Sequence, residues 1–299
     1  MNKVVAALGG KRAADAFRKT VSGDPTGAPQ WSQQMAIGND VGLFGPDSAV
    51  WEVHGCISTL VGGIRALLMQ AAHPAALTGV AEHSQYDTDP LGRLERTTRW
   101  LTITTFGSTE AIEREARRVN ELHSHVKGEY PAKGGKVQTY SAQDSRHLLW
   151  VHCAFTDSFL RAQLELGYPI ARGADRYVQE WSKSAAPLGL ASAPQSVCEL
   201  EQTIAEFVSN EVATIAMTPP IVKFILTPPF SKGGLFFYRI LANAAIATID
   251  EPFLTVLGLK KRSKVWLRVS RKLLDFLSYM LGHESPSQKI ARARIQALQ

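Results

Sequence analysis

The run from Thr109 to Val126 has the spacing of a helix, and its inward side carries Ile112, Ala116 and Val119 before it reaches His123. An imidazole in that company has two readings. One is a core histidine hydrogen-bonded to backbone. The other is a metal ligand, and the role that best suits a single isolated histidine is the axial bond to a haem iron held between helices. Haem asks little of sequence spacing: one imidazole, apolar walls and a few polar groups on the open face. His125, two residues on, points off that face and reads as a surface or supporting residue.

Three further groups could complete such a pocket. Arg93, Arg96, Thr97 and Trp100 stand at offsets 0, 3, 4 and 7 and share one helical side. The arginines could stabilise a haem propionate or a developing oxygen anion, Thr97 could orient oxygen or water, and Trp100 could add a wall. The same residues could instead lace the helix to Asp87, Asp89 and Glu95. Glu82 and His83 close the segment HPAALTGVAEHS, where Pro74 marks a helix start; either could remove a substrate proton or satisfy a local polar network. His152 shares a helical side with Leu148, Phe155, Thr156 and Phe159, as a core histidine or as a partner to a haem carboxylate.

Other chemistries lack their patterns. The eight histidines match no short zinc signature, HExxH is absent, and the paired ExxH of a dinuclear carboxylate bundle is missing. No GxGxxG and no P-loop is present.

The elements that must position these residues are helical. Helices are expected over 109–127, 142–165, 174–186, 197–216, 233–247 and 265–280, with Ser108 capping the first and Ser141 with Asp144 forming an acidic capping box for the second. GEYPAKGGK reads as the turn between those two helices. Glu113 and Arg117 are spaced for an i,i+4 attraction. Pro219, Pro220, Pro228 and Pro229 interrupt the later region. The expected fold is all-α: an N-terminal arm at 1–45, a single helical core at 46–265, and a basic amphipathic extension at 266–299 packed on that core.

The composition agrees with a globular chain. Of 299 residues, 45% are hydrophobic, enough for a substantial core. Cys56, Cys153 and Cys198 form no close pair, the N-terminus lacks a secretory pattern, and no apolar run reaches the about 18 residues of a membrane span. A cytoplasmic location is expected. The net charge of +6 is concentrated: from 260 onward ten Lys and Arg oppose only Asp275 and Glu284, a local +8. No recognition motif points to a specific nucleic acid. WLRVSRKLLDFLSYML mixes cations with large apolar residues, so it reads either as a helix with a solvated basic face or as one able to touch an anionic membrane.

The ordered blocks LVGGIRALLMQAAHPAALTGVAEHS, DPLGRLERTTRW, VNELHSHVKG, YSAQDSRHLLWVHCAFTDS and IDEPFLTVLGLK resemble the oxygenase domain family that groups fungal MpaB proteins with bacterial latex-clearing, or rubber, oxygenases. The resemblance runs from about residue 40 to 260 and lies with the family's bacterial members. It implies a haem b-binding helical core with His123 at the proximal position. It implies a polar pocket in which the family pattern R-x-x-K-T becomes Arg93-x-x-Arg96-Thr97. Arginine keeps the charge of lysine without its shape or its coordination behaviour. The family carboxylate base matches Glu82 best, and His152 matches a supporting histidine. Dioxygen as cosubstrate, an electron donor and an apolar, unsaturated, isoprenoid-like substrate cleaved at C=C follow from the same resemblance. The alternatives left open are a noncatalytic haem or hydrophobic-ligand binding protein and a helical interaction protein.

Overall fold

The computed structural model describes Asp15, Arg18, Lys19 and residues 24–84 and 90–298, without the side chains of residues 90, 91, 93 and 94. Among the described residues a 3-10 helix, Gln30–Ala36, precedes α1 (Ala49–Gly55), α2 (Thr59–Ala71), α3 (Pro74–His83), α4 (Pro90–Phe106) and α5 (Thr109–Ser124). An antiparallel hairpin of β1 (Lys127–Pro131) and β2 (Val137–Ser141) follows. The remaining helices are α6 (Ser145–Glu165), α7 (Ala174–Trp181), α8 (Val197–Asn210), α9 (Thr218–Leu226), α10 (Lys232–Ala247), α11 (Glu251–Leu257), α12 (Val265–Leu281) and α13 (Pro286–Gln296). The protein is a single, predominantly helical domain.

Local chemistry sets the helix starts. Ser48 and Ser108 accept the Trp51 and Ala111 amides, and Pro74 opens α3 behind His73, whose Nδ1 accepts the Ala76 amide. Each cap satisfies a donor that the first turn leaves without an intrahelical partner. At α6 the cap is Asp144, accepting from Arg146 N at 2.7 Å, so that helix begins three residues later than 142. The expected 174–186 helix stops at Trp181 and continues as two short 3-10 turns, since Pro187 has no amide to donate. The 197–216 helix ends at Asn210.

The segment expected as a turn between α5 and α6 forms the hairpin. Lys127 pairs with Ser141 and Gly128 with Tyr140, while Gly134 and Gly135, both at positive φ, turn the chain.

Two apolar cores share α6. On one side Trp150 and Ala154 meet Leu68 and Met69 of α2, Phe207 of α8 and Leu241 of α10. On the other, Phe159 and Leu160 meet Trp51, Ile103, Ile112, Tyr177 and Trp181. Gly62 allows α2 and α6 to touch, because a Cβ there would lie 2.6 Å from Phe159 Cδ1. The neighbouring Gly63 faces open space: its Cβ would meet nothing within 4 Å.

Helix α13 returns to the start of the fold. The buried Arg294 donates to the carbonyls of Met35, Val41 and Phe106, so a late helix fastens the 3-10 segment to the end of α4.

Candidate functional site

Helix α5 carries His123 in its last turn. Ile112 and Ala116 are buried on its inner face, Val119 is half-buried, and between them Glu115 is fully buried. A lone buried carboxylate would be costly. Here Arg99 of α4 donates to it through Nε and Nη2 at 2.9 and 2.8 Å, and Arg118 donates from the next turn. This ionic knot fixes α4, which carries Arg96, Thr97 and Trp100, against α5 two turns before His123. At the other end of α5, Asn120 Nδ2 donates to the Pro187 carbonyl at 3.1 Å.

His123 is partly buried, and burial lowers its pKa from 6.5. The imidazole is therefore neutral at neutral pH. Its Nδ1 is buried and has no hydrogen-bond partner. A neutral ring with an unmatched buried nitrogen leaves a position that a metal or a hydrogen-bond donor could take.

A second imidazole cluster lies between α4, α6 and α7. His54 meets Thr105 Oγ1 at 2.8 Å and Tyr177 Oη at 2.9 Å. The Trp181 ring stands 4.3 Å from His54 and, near-parallel, 6.4 Å from His152. Enclosure pushes His54 down to about 3 and His152 down to about 4. Both residues are half-buried. Trp181 Nε1 and Thr104 Oγ1 are buried without partners.

The hairpin builds a third cluster. Tyr140, at the end of β2, donates from Oη to Glu82 Oε2 at 2.7 Å, and His83 Nε2 lies 3.1 Å from Tyr140 Oη. Burial, then the Glu82 carboxylate, raises the Tyr140 pKa and keeps the phenol protonated. Gly128 leaves the space this ring fills, since a Cβ there would stand 3.0 Å from Tyr140 Oη.

The structure thus brings Glu82 and His83 together through Tyr140, and His152 to Trp181. Among the described residues no hydrogen bond joins either cluster to His123. Arg96 is exposed, and Thr97 and Trp100 are half-exposed on α4. The Arg93 side chain and Asp87 and Asp89 lie outside the described residues. Glu95 is engaged by Trp31 Nε1 at 3.2 Å. His125 sits at the surface beside Glu121.

Sequence reasoning missed Tyr140 as the link, Glu115 as a buried charge, and Arg65. The Arg65 guanidinium is wholly buried, held by Asp157 Oδ2 at 2.6 Å and Ser158 Oγ at 2.9 Å, with Nε and Nη2 unmatched. An arginine inside the apolar stretch LVGGIRALLM, with an aspartate inside the mainly apolar VHCAFTDSFL, was the available signal. Two cavities, about 430 Å3 beside Ser182, Leu190 and Gln195 and about 350 Å3 beside Val222 and Leu259, are lined by neither His123 nor His152.

Residues 51–279 match the family described as ER-bound oxygenase mpaB/B'/Rubber oxygenase, catalytic domain. The chain belongs to this family. Membership in the mpaB and rubber oxygenase family supports an oxygenase-type function for this fold. The match begins inside α1 and ends inside α12; it therefore contains all three clusters, while Arg294 lies beyond it. Comparison with curated proteins and with solved structures finds no match. Among the described residues no three His, Cys, Asp or Glu converge as a site for a bare metal ion. This bears on metals held by protein alone, since haem needs a single protein imidazole. No helix among the described residues is long and apolar enough to cross a membrane.

Proposed function

We propose that this chain is a haem b-dependent oxygenase acting on an apolar, unsaturated, isoprenoid-like substrate. The observation that carries the reading is the buried, unpartnered Nδ1 of a neutral His123 within an oxygenase family fold. Haem, when bound, supplies the oxygen-activating redox chemistry that no amino-acid side chain offers.

The chain's own residues would do the rest. His123 would hold the haem iron through its imidazole. Arg96 and Thr97, with Arg93, would supply charge and a hydroxyl to the pocket, and Trp100 would add an apolar wall. His152, kept neutral beside Trp181, supports the pocket without carrying charge into it. Glu82 is the proton acceptor: the Tyr140 phenol holds its Oε2, and His83 stands at that phenol to receive or return a proton. Oxidative cleavage balances without added reductant. One C=C bond and one O=O bond break, each carbon takes one oxygen, and two carbonyl products form. An external electron donor would serve only to prepare the site.

The deciding experiment compares freshly purified protein with His123→Ala by absorption spectrum and iron content, then follows dioxygen uptake with an alkene panel. Haem in the parent, its loss in the variant, and dioxygen-dependent carbonyl products are expected. Equal haem in both proteins removes His123 from the site. A stable dioxygen complex without products would make the chain a haem carrier.

A further inference from the structure

Helices α10 and α12 form an antiparallel pair, and Arg18 Nη2 donates to the Leu281 carbonyl at the end of α12. Two hydrogen bonds set its register: Lys261 Nζ donates to the Ile249 carbonyl just after α10, and Ser270 Oγ donates to the Ile240 carbonyl. The pairing brings the first turns of α10 alongside the second half of α12. Leu267, Ser270 and Leu274 face inward. Outward lie Phe236 at 63% exposure, Phe237 at 52%, Phe276 at 60% and Tyr279 at 62%. Val265 and Val269, also exposed, extend the stripe at helical spacing with Phe276. Four large aromatic rings held in water on one helix pair are more than the scattered apolar exposure of an ordinary surface.

The charges around these rings choose their partner. Lys232, Arg239, Arg268 and Lys272 are exposed and enter no ion pair among the described residues. Lys272 stands within the stripe itself, one turn before Phe276. Helix α10 contains no Asp or Glu. The single acid of α12, Asp275, is neutralised by Arg271 at 2.9 Å and accepts from Tyr168. Aromatic rings flanked by uncompensated cations match the headgroup layer of an anionic bilayer, where rings enter the acyl boundary and lysine and arginine meet phosphate. The helix pair lies within a chain that has no helix able to span that bilayer among its described residues.

We infer that the α10–α12 face docks this protein peripherally on anionic lipid surfaces. The docking is independent of haem, because none of its residues belongs to the three clusters of the candidate site.

The test is co-sedimentation of the purified full chain with vesicles of phosphatidylcholine alone or of phosphatidylcholine with phosphatidylglycerol. Binding only to the anionic vesicles, weakened by salt, is expected. The double variant Phe236→Ser, Phe276→Ser should bind roughly tenfold or more weakly. The double variant Arg268→Glu, Lys272→Glu should lose a comparable factor, with most of its salt dependence. All substituted positions are exposed, so circular dichroism and thermal unfolding should match the parent, and haem content should be unchanged. Absence of binding to anionic vesicles, or binding that the aromatic variant leaves intact, overturns the inference. So does a parent protein that is a dimer in solution and a monomer once Phe236 and Phe276 are replaced, since a second copy would then own the face.

Discussion

At His123 the quantity that matters is the protonation of one ring. A protonated imidazole cannot bind iron, and burial disfavours the charged form, so haem loading should persist as pH falls below the ordinary histidine value of 6.5; titration of the haem absorption band checks this. His54 and His152 carry the same physics into stability. Their folded values, about 3 and about 4, lie below the unfolded 6.5. As pH falls from 6.5 toward 4, unfolded chains take up protons that folded chains refuse, and stability declines by up to ~1.4 kcal/mol per pH unit for each group. Urea unfolding across that range should show the decline, and His152→Gln should make it shallower. The sequence made His123 and the Glu82 and His83 pair legible as candidates, because a histidine on an apolar face and a carboxylate beside a histidine are local patterns. Tyr140 was not legible. It reaches Glu82 from 58 residues away, on a strand that a glycine- and lysine-rich stretch disguised as a plain turn.

Elements explain which parts of the fold could be read in advance. Ser108, Pro74 and Asp144 act within one turn of themselves, and the helices they start were foreseeable; helix ends were not, as at Trp181, where the chain tightens into 3-10 turns before Pro187. Charge pairing on α5 shows the same limit. The spacing favoured Glu113 with Arg117, yet Arg114 pairs with Glu110, and the decisive carboxylate is Glu115, whose partner Arg99 belongs to another helix. Replacing Glu115 with Ala should cost about 2–3 kcal/mol in denaturant unfolding, tempered because both arginines can turn toward water. It should also loosen α4 against α5 and lower haem retention. The two adjacent glycines of α2 should respond with opposite signs. Gly62→Ala drives a methyl group into Phe159 and should destabilise by about 1–3 kcal/mol. Gly63→Ala meets open space and should stabilise by about 0.5–1 kcal/mol through helix propensity. Equal melting shifts in the two variants would contradict this packing.

On the scale of the molecule, the family match spans 51–279, and the described segments on either side of it are joined to each other. Arg294 reaches the Met35 carbonyl across 259 positions of sequence and the Phe106 carbonyl at the end of α4. Arg294→Met keeps the side-chain length and removes the donors. It should cost about 2 kcal/mol by orphaning buried carbonyls, read as a lower melting temperature, with circular dichroism unchanged below the transition. An all-helical class was legible because amphipathic spacing recurs along the chain. This clasp was not, since a basic tail predicts solvent or a charged partner before it predicts carbonyl oxygens buried at the opposite end. Its geometry also imposes an order on biosynthesis. A nascent chain can form the helices around His123 while still attached to the ribosome, but the segment at Met35 lacks its Arg294 clasp until α13 has cleared the exit tunnel. The interval before that release is when the growing polypeptide is most open to proteases and most available to chaperones.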